Sequence, residues 1–192
     1  MQPGRIGPNA ILQLVDVLDR AGQGALCAAV LAEARVDRPP PDAPMLPETD
    51  CAAVHQALRR LCPDEADGLL RAAGLATGDY ILAHRIPPLA QAVLRRVPGR
   101  LGAPLLSTAI LRHAWTFAGT GRFARVRRAP LTFDLAANPL VAGWQADRPQ
   151  CQWHVAVFER LFGALVWPGV TVRETACCAC GDPACRFELA PA

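Results

Sequence analysis

Apolar residues return every three or four positions through the first part of the chain, and from Phe123 onward they alternate. The first period is that of an amphipathic helix, the second that of a half-buried strand. Ile11, Leu12, Val15 and Leu18 predict a helix that Asn9 caps and that Gly22 and Gly24 end. A second helix is expected over residues 25–35, carrying Leu26, Val30 and Leu31. Residues 38–47, rich in proline, read as a stiff polyproline-like loop and form the best boundary in the sequence. Helical spacing resumes with Thr49 or Asp50 as cap and runs through His55, Leu58 and Leu61. Pro63 restarts it at a first-turn position, ahead of Asp64 and Glu65, whose charges suit a helix N-terminus. Further helices are expected over residues 89–96 and from 104 to about 117.

Alternation then predicts two short strands, one holding Phe123, Arg125 and Arg127 and the other Leu131, Phe133 and Leu135, joined as a hairpin. Asn138-Pro139 begins a turn. Val155, Phe158, Leu161, Phe162 and Leu165 mark one face of a helix over residues 150–166, which Pro168-Gly169 stops. Strands over residues 170–174 and 186–189 flank a cysteine-rich turn. Helices first and an antiparallel sheet with one long helix on it make an α+β fold, a helical N-terminal half packed with an antiparallel sheet.

Composition narrows the class. Hydrophobic residues make up 52% and charged residues 19%, so the chain buries a real core. All twenty basic residues are arginine, and the net charge of +3 is too small to point to nucleic acid. The first eight residues lack the charged-then-apolar pattern of a signal peptide, and no apolar stretch reaches the roughly 20 residues of a transmembrane segment. A cytoplasmic protein with reduced cysteines is expected.

The chemistry gathers near the end of the chain. Four of the eight cysteines fall between Cys177 and Cys185, close behind Glu174, and Cys151 opens the preceding helix. Clustered thiols beside a carboxylate are what a tetrahedral zinc site requires, and the Gly181-Asp182-Pro183 turn folds the chain so that Cys177 and Cys185 face one ion. Disulfides fit less well, because adjacent Cys177 and Cys178 point to opposite sides of a strand. Iron–sulfur ligation has a single Cys-x-x-Cys, Cys177 and Cys180, and no second pair. Cys178 or Cys180 could take the place of Glu174, so the ligand set stays open on spacing alone. No Gly-x-Gly-x-x-Gly follows a strand, so no nucleotide or flavin motif is present.

The run Cys177-Cys-Ala-Cys-Gly181-Asp182-Pro-Ala-Cys185-Arg-Phe187 resembles the closing motif of the 4-vinyl reductase domain family, Cys-x-x-x-Gly-Asp-x-x-Cys-x-Phe. Related phenol-sensing regulators hold zinc on three cysteines and a glutamate. By that resemblance the ligands are Cys151, Glu174, Cys177 and Cys185, a closed structural site. The resemblance also implies a fold shared with trafficking-complex subunits and nitric-oxide-sensing haem domains, a homodimer, and an apolar ligand pocket. Residues 1–48 would then be N-terminal helices and a Pro-rich loop, and residues 49–192 the ligand-binding domain, in one compact unit.

A stand-alone chain of this length resembles the members of that family from bacteriochlorophyll biosynthesis. The implied partners are a magnesium porphyrin or chlorophyllide and enzymes of the bacteriochlorophyll pathway. The expected function is a tetrapyrrole-binding accessory or carrier protein with a structural zinc and no catalytic residue. The alternative is an 8-vinyl (4-vinyl in older numbering) reductase of divinyl chlorophyll precursors that takes electrons from an external donor. A tetrapyrrole wants an apolar slot, an axial imidazole and arginines near its carboxylates. His84, His113 and His154 are the candidate imidazoles. His113, with Trp115 and Phe117 beside it, is the chosen one, and Arg125 and Arg127, read as sharing a strand face with Phe123, are the candidate cations.

Overall fold

The computed structural model describes residues 4–192; residues 1–3 of the N-terminal segment lie outside the described residues. In chain order the elements are β1 (Arg5–Ile6), α1 (Asn9–Arg20), α2 (Gly24–Ala34), β2 (Leu46–Pro47), α3 (Glu48–Leu61), α4 (Pro63–His84), α5 (Pro88–Arg96), α6 (Gly99–Arg112) and α7 (Trp115–Ala118). The second half supplies β3 (Arg122–Arg128), β4 (Leu131–Ala136), α8 (Gln152–Leu165), β5 (Thr171–Ala176) and β6 (Ala184–Ala190). The α+β architecture is the one expected. β1 and β2 pair with each other, so the Pro-rich loop returns to the start of the chain. The main sheet is antiparallel throughout, in the order β3-β4-β6-β5.

Helix α8 sits between the sheet and the other helices. Its Phe158 packs against Phe123, Phe133 and Phe187 of the sheet at ring separations of 5.8, 5.5 and 5.3 Å. Its other side lies on α4, the most extensive contact between elements. The sequence allows this through two glycines one turn apart. A Cβ at Gly74 would come within 2.3 Å of the Trp153 carbonyl oxygen, and one at Gly78 within 2.6 Å of the Arg160 Cβ. Only hydrogen at these positions lets the helices approach so closely. The buried apolar residues form a continuous cluster from Ile6 and α1 to Leu189 in β6.

Several boundaries differ from those expected. Asn9 lies inside α1 rather than capping it; Pro8 holds the cap position, and the Asn9 side chain bonds Gln13 instead. Neither Thr49 nor Asp50 caps α3, which follows directly from Pro47 of the β1–β2 pair. Glu48 at its start accepts hydrogen bonds from the Thr120 amide and hydroxyl, at 2.8 and 2.7 Å. α6 begins five residues before Pro104, right after the extended Pro98, and accommodates Pro104 on its exposed side. It ends at Arg112, and Trp115–Ala118 form the separate turn α7.

Candidate metal centre

Three elements bring four donor atoms to one point. Cys151 stands immediately before α8, Glu174 lies on β5, Cys177 follows β5, and Cys185 lies on β6. The β5–β6 pairing sets Glu174 opposite Phe187, and a register irregularity after Glu174 lets the chain turn. Between the strands a 3-10 turn, Cys178–Cys180, closes with Gly181 at φ +91°, a left-handed conformation that favours glycine. The Asp182 carboxylate accepts from the Cys177 amide at 2.8 Å and locks the turn.

The ligand atoms of Cys151, Glu174, Cys177 and Cys185 all lie within 4.8 Å of one another. The sulfur–sulfur separations are 3.4 Å for Cys151–Cys185, 3.8 Å for Cys177–Cys185 and 4.0 Å for Cys151–Cys177. These are non-covalent distances, and every cysteine is a free thiol. A tetrahedral ion with metal–sulfur bonds of about 2.3 Å has sulfur–sulfur edges of about 3.8 Å, so the spacing matches. Glu174 completes the set. Its Oε2 accepts from the Cys151 amide at 2.7 Å, while its Oε1 is buried with no hydrogen-bond partner. A buried carboxylate oxygen without a donor is costly unless something positive satisfies it.

Charge tells the same story. Burial, above all, pushes the Glu174 carboxyl up to about 8 and the Cys151 thiol well above its ordinary range. Cys177 is held far below that range by hydrogen bonds from the Cys151 and Cys185 thiols. Without a cation the three sulfurs therefore share one negative charge; a divalent cation would take the place of the remaining protons.

The neighbouring groups are polar and aimed inward. Asn138 donates from Nδ2 to the Cys151 and Cys185 sulfurs at 3.2 and 3.4 Å, and the Cys178 amide donates to Cys185 at 3.4 Å. Arg59 of α3 is buried; its Nη2 bonds the Gln150 carbonyl, and Nε and Nη1 have no partner among the described residues. Cys151, Cys177 and Glu174 all act on its charge. An ion held by three thiolates and a carboxylate carries excess negative charge, which Arg59 is placed to balance. Sequence reasoning missed Asn138 and Arg59. The one signal for Arg59 was a charged residue directly after Leu58, on the apolar side of α3.

The remaining cysteines stay apart from the four donors. Cys178 points its sulfur toward the Leu135 carbonyl at 3.9 Å, and Cys180 is exposed. The other candidate residues are not gathered into a site. His113 is exposed, with Nδ1 on the Ala109 carbonyl one turn back, and Trp115 is 59% exposed. Phe117 packs edge-on against Phe123 at 5.0 Å, within the aromatic core. Arg125 and Arg127 do not share a strand face: a bulge at Val126 sets Arg125 opposite Phe133 and Arg127 opposite Thr132, successive residues of β4. His84 stacks on Tyr80 at 4.6 Å. His154 is buried beside Trp153 with neither ring nitrogen bonded, and burial first lowers its pKa to about 3.

Two clefts flank the cluster. One, of about 350 Å³, is lined by Arg71, Arg148, Gln152, Val155, Arg173 and Glu174. The other, of about 510 Å³, lies between α3 and the 139–144 loop, with Ala52, Ala53, Gln56, Val141, Trp144 and Cys178 on its walls. None of His113, Trp115, Phe117, Arg125 and Arg127 lines either one.

The fold and cysteine cluster belong to a known class. The family model of the 4-vinyl reductase domain matches residues 131–191, the segment that runs from β4 to β6 and contains all four donors. Two solved structures share the fold across most of the chain. They are the phenol-responsive sensory domain of the transcription activator PoxR with phenol (TM-score 0.56, 17% identity, 88% of this chain and 90% of that one) and an H-NOX protein from S. oneidensis in the Fe(II)NO state (TM-score 0.58, 9% identity, 95% and 97%). At the level of sequence the chain is 62% identical over 188 residues to the Bacteriochlorophyll synthase 23 kDa chain of Cereibacter sphaeroides, covering 97% of this chain and 91% of the relative. It is 57% identical over 187 residues to the protein of the same name from Rhodobacter capsulatus, covering 97% and 87%. The chain thus belongs to the 4-vinyl reductase domain family, alongside these two 23 kDa chains.

Proposed function

We propose that this chain is a tetrapyrrole-binding accessory or carrier protein of bacteriochlorophyll biosynthesis, with a structural zinc on Cys151, Glu174, Cys177 and Cys185. The observation that carries the pathway is the near-full-length identity with two proteins named as chains of bacteriochlorophyll synthase. Zinc is supported by the donor set: three sulfurs at tetrahedral spacing and a buried carboxylate oxygen that lacks a partner. Four protein ligands leave no open position, so the ion would tie α8 to the β5–β6 pair rather than act on a substrate.

The pigment, a magnesium porphyrin or chlorophyllide, is assigned to the cleft between α3 and the 139–144 loop. Its walls are small apolar side chains, and Trp144 offers a flat face for stacking. The working form is a cytoplasmic homodimer packed through α2, whose outer face carries Ala25, Ala28, Ala29 and Ala32. Its role is to hand the pigment to the pathway's enzymes. The test is titration of magnesium protoporphyrin into the zinc-loaded chain, read by absorbance. Binding at micromolar affinity or better, about −8 kcal/mol, is expected, and Ala53→Trp, which fills the cleft, should weaken it at least ten-fold. Unchanged binding by Ala53→Trp would remove the cleft, and no binding by the parent chain would remove the carrier reading.

A further inference from the structure

The modest net charge conceals a sharp division. From residue 80 to residue 133 the chain holds nine of its twenty arginines and no aspartate or glutamate. The other eleven arginines share the rest of the chain with all seventeen carboxylates, so this stretch carries +9 and the remainder −6 within a total of +3. Ion pairing follows the same line. Each of the seven salt bridges among the described residues uses an arginine from outside the stretch.

Exposed apolar surface is confined there as well. Seven large hydrophobic side chains are exposed, and six of them, Leu89, Val93, Leu101, Leu105, Trp115 and Val126, lie in the acid-free stretch. Helical spacing explains how they come to be outside. α6 buries Gly102, Ala103, Leu106, Ser107 and Ile110, which leaves Leu101, Leu105, Thr108 and Arg112 as a stripe on its outer side. α5, which packs against α6, buries no residue completely and exposes Leu89, Val93 and Arg96 one turn apart. Four of the nine arginines lie on β3, an edge strand, where positive charge also blocks strand addition. The remainder belong to the helical region.

We propose that the outer faces of α5, α6 and α7 dock on the surface of a bilayer that contains anionic phospholipid. Leucines and a tryptophan on an arginine-rich helical face suit the boundary between headgroups and acyl chains, where the apolar side chains enter and the guanidinium groups meet lipid phosphate. No helix of the described residues is long and apolar enough to cross a membrane, so the contact is peripheral. A second copy of the chain is the poorer occupant, because it would bring two acid-free, nine-arginine stretches together with no carboxylate between them. A nucleic acid duplex would satisfy the arginines but leave the leucine stripe in water.

The test is co-sedimentation of the full, zinc-loaded chain with vesicles of phosphatidylcholine alone and of phosphatidylcholine mixed with phosphatidylglycerol. The chain should sediment with the mixed vesicles only, and less as salt is raised. Arg95→Gln, Arg96→Gln and Arg100→Gln should each weaken binding about five-fold, and the pair Leu101→Asp and Leu105→Asp should abolish it with circular dichroism and zinc content unchanged. The proposal fails if the chain stays in the supernatant with mixed vesicles, or if the double aspartate variant binds as well as the parent. Tighter retention of a DNA duplex than of the mixed vesicles would instead make the face a nucleic-acid surface. A dimer that the double aspartate variant splits to monomers would make it a self-interface.

Discussion

Replacing Gly74 by alanine tests whether the close approach of α4 and α8 governs the molecule. A methyl group there would stand 2.3 Å from the Trp153 carbonyl oxygen and 2.7 Å from the Ala156 Cβ. Neither neighbour is the flexible tip of a long side chain, so the helices must part by about 1 Å, and overpacking of this kind costs about 1–3 kcal/mol. Alanine recovers about 0.5–1 kcal/mol of helix propensity, leaving a net loss of roughly 1–2 kcal/mol. Gly68 provides the control on the same helix, for a Cβ there meets nothing within 4 Å. Gly68→Ala should therefore gain about 0.5–1 kcal/mol. Urea unfolding of the zinc-loaded chain, followed by circular dichroism, should move the two midpoints in opposite directions with unchanged slope. Because Trp153 lies two residues after Cys151, the Gly74 variant should also bind zinc more weakly. A Gly74→Ala midpoint at or above the parent value would refute the reasoning.

Arg59→Met should weaken zinc binding about ten- to a hundred-fold, measured by chelator competition, yet leave the metal-free protein no less stable, since two guanidinium nitrogens are buried without partners. Equal zinc affinity would show that Arg59 is not the counter-charge. Cys185→Ser should lose the metal and unfold at a clearly lower temperature, because the binding energy of a closed site is folding energy; an unchanged melting temperature in the metal-free variant would show the site is not structural. Stability should also fall in acid. Burial, as the leading cause, lowers the pKa of both His55 and His154 to about 3, so the unfolded chain takes up protons below its ordinary histidine range while the folded one does not. That contribution is complete above pH of about 6.5 and is lost toward about 3, at up to about 1.4 kcal/mol per pH unit for each histidine. A urea midpoint that stays flat across that window would contradict it.

The parts of this molecule that depend on local pattern were readable from residues alone. Ile11, Val15 and Leu18 do face the core from α1, and Phe158, Leu161 and Phe162 do so from α8. Glu174, Cys177 and Cys185 sit on one strand pair, close in sequence, so their clustering follows from a single turn. Cys151 is different. It reaches them only because α8 packs back over the sheet, and only the family resemblance placed it in the set. The roles of Asn138 and Arg59 rest on contacts between distant segments, such as Arg59 with Gln150, which no periodicity reports. The pairing of Arg125 with Arg127 went astray for a physical reason: strict alternation carries both to one face, and one extra residue at Val126 undoes it. The helix caps failed similarly, where prolines at 8 and 47 set the helix starts in place of Asn9 and Thr49.

The central claim, that the chain binds a chlorophyll precursor without converting it, meets its most direct test in a turnover assay with bound pigment. Zinc-loaded chain would be incubated with a divinyl chlorophyllide and NADPH, and both the bound pigment and its vinyl content would be followed by chromatography and absorbance. Vinyl reduction needs an electron source that cofactors normally carry. The predicted result is pigment that co-elutes with the protein and remains divinyl throughout. Steady formation of the monovinyl product by the pure chain, or pigment that never co-elutes with it, would contradict the account.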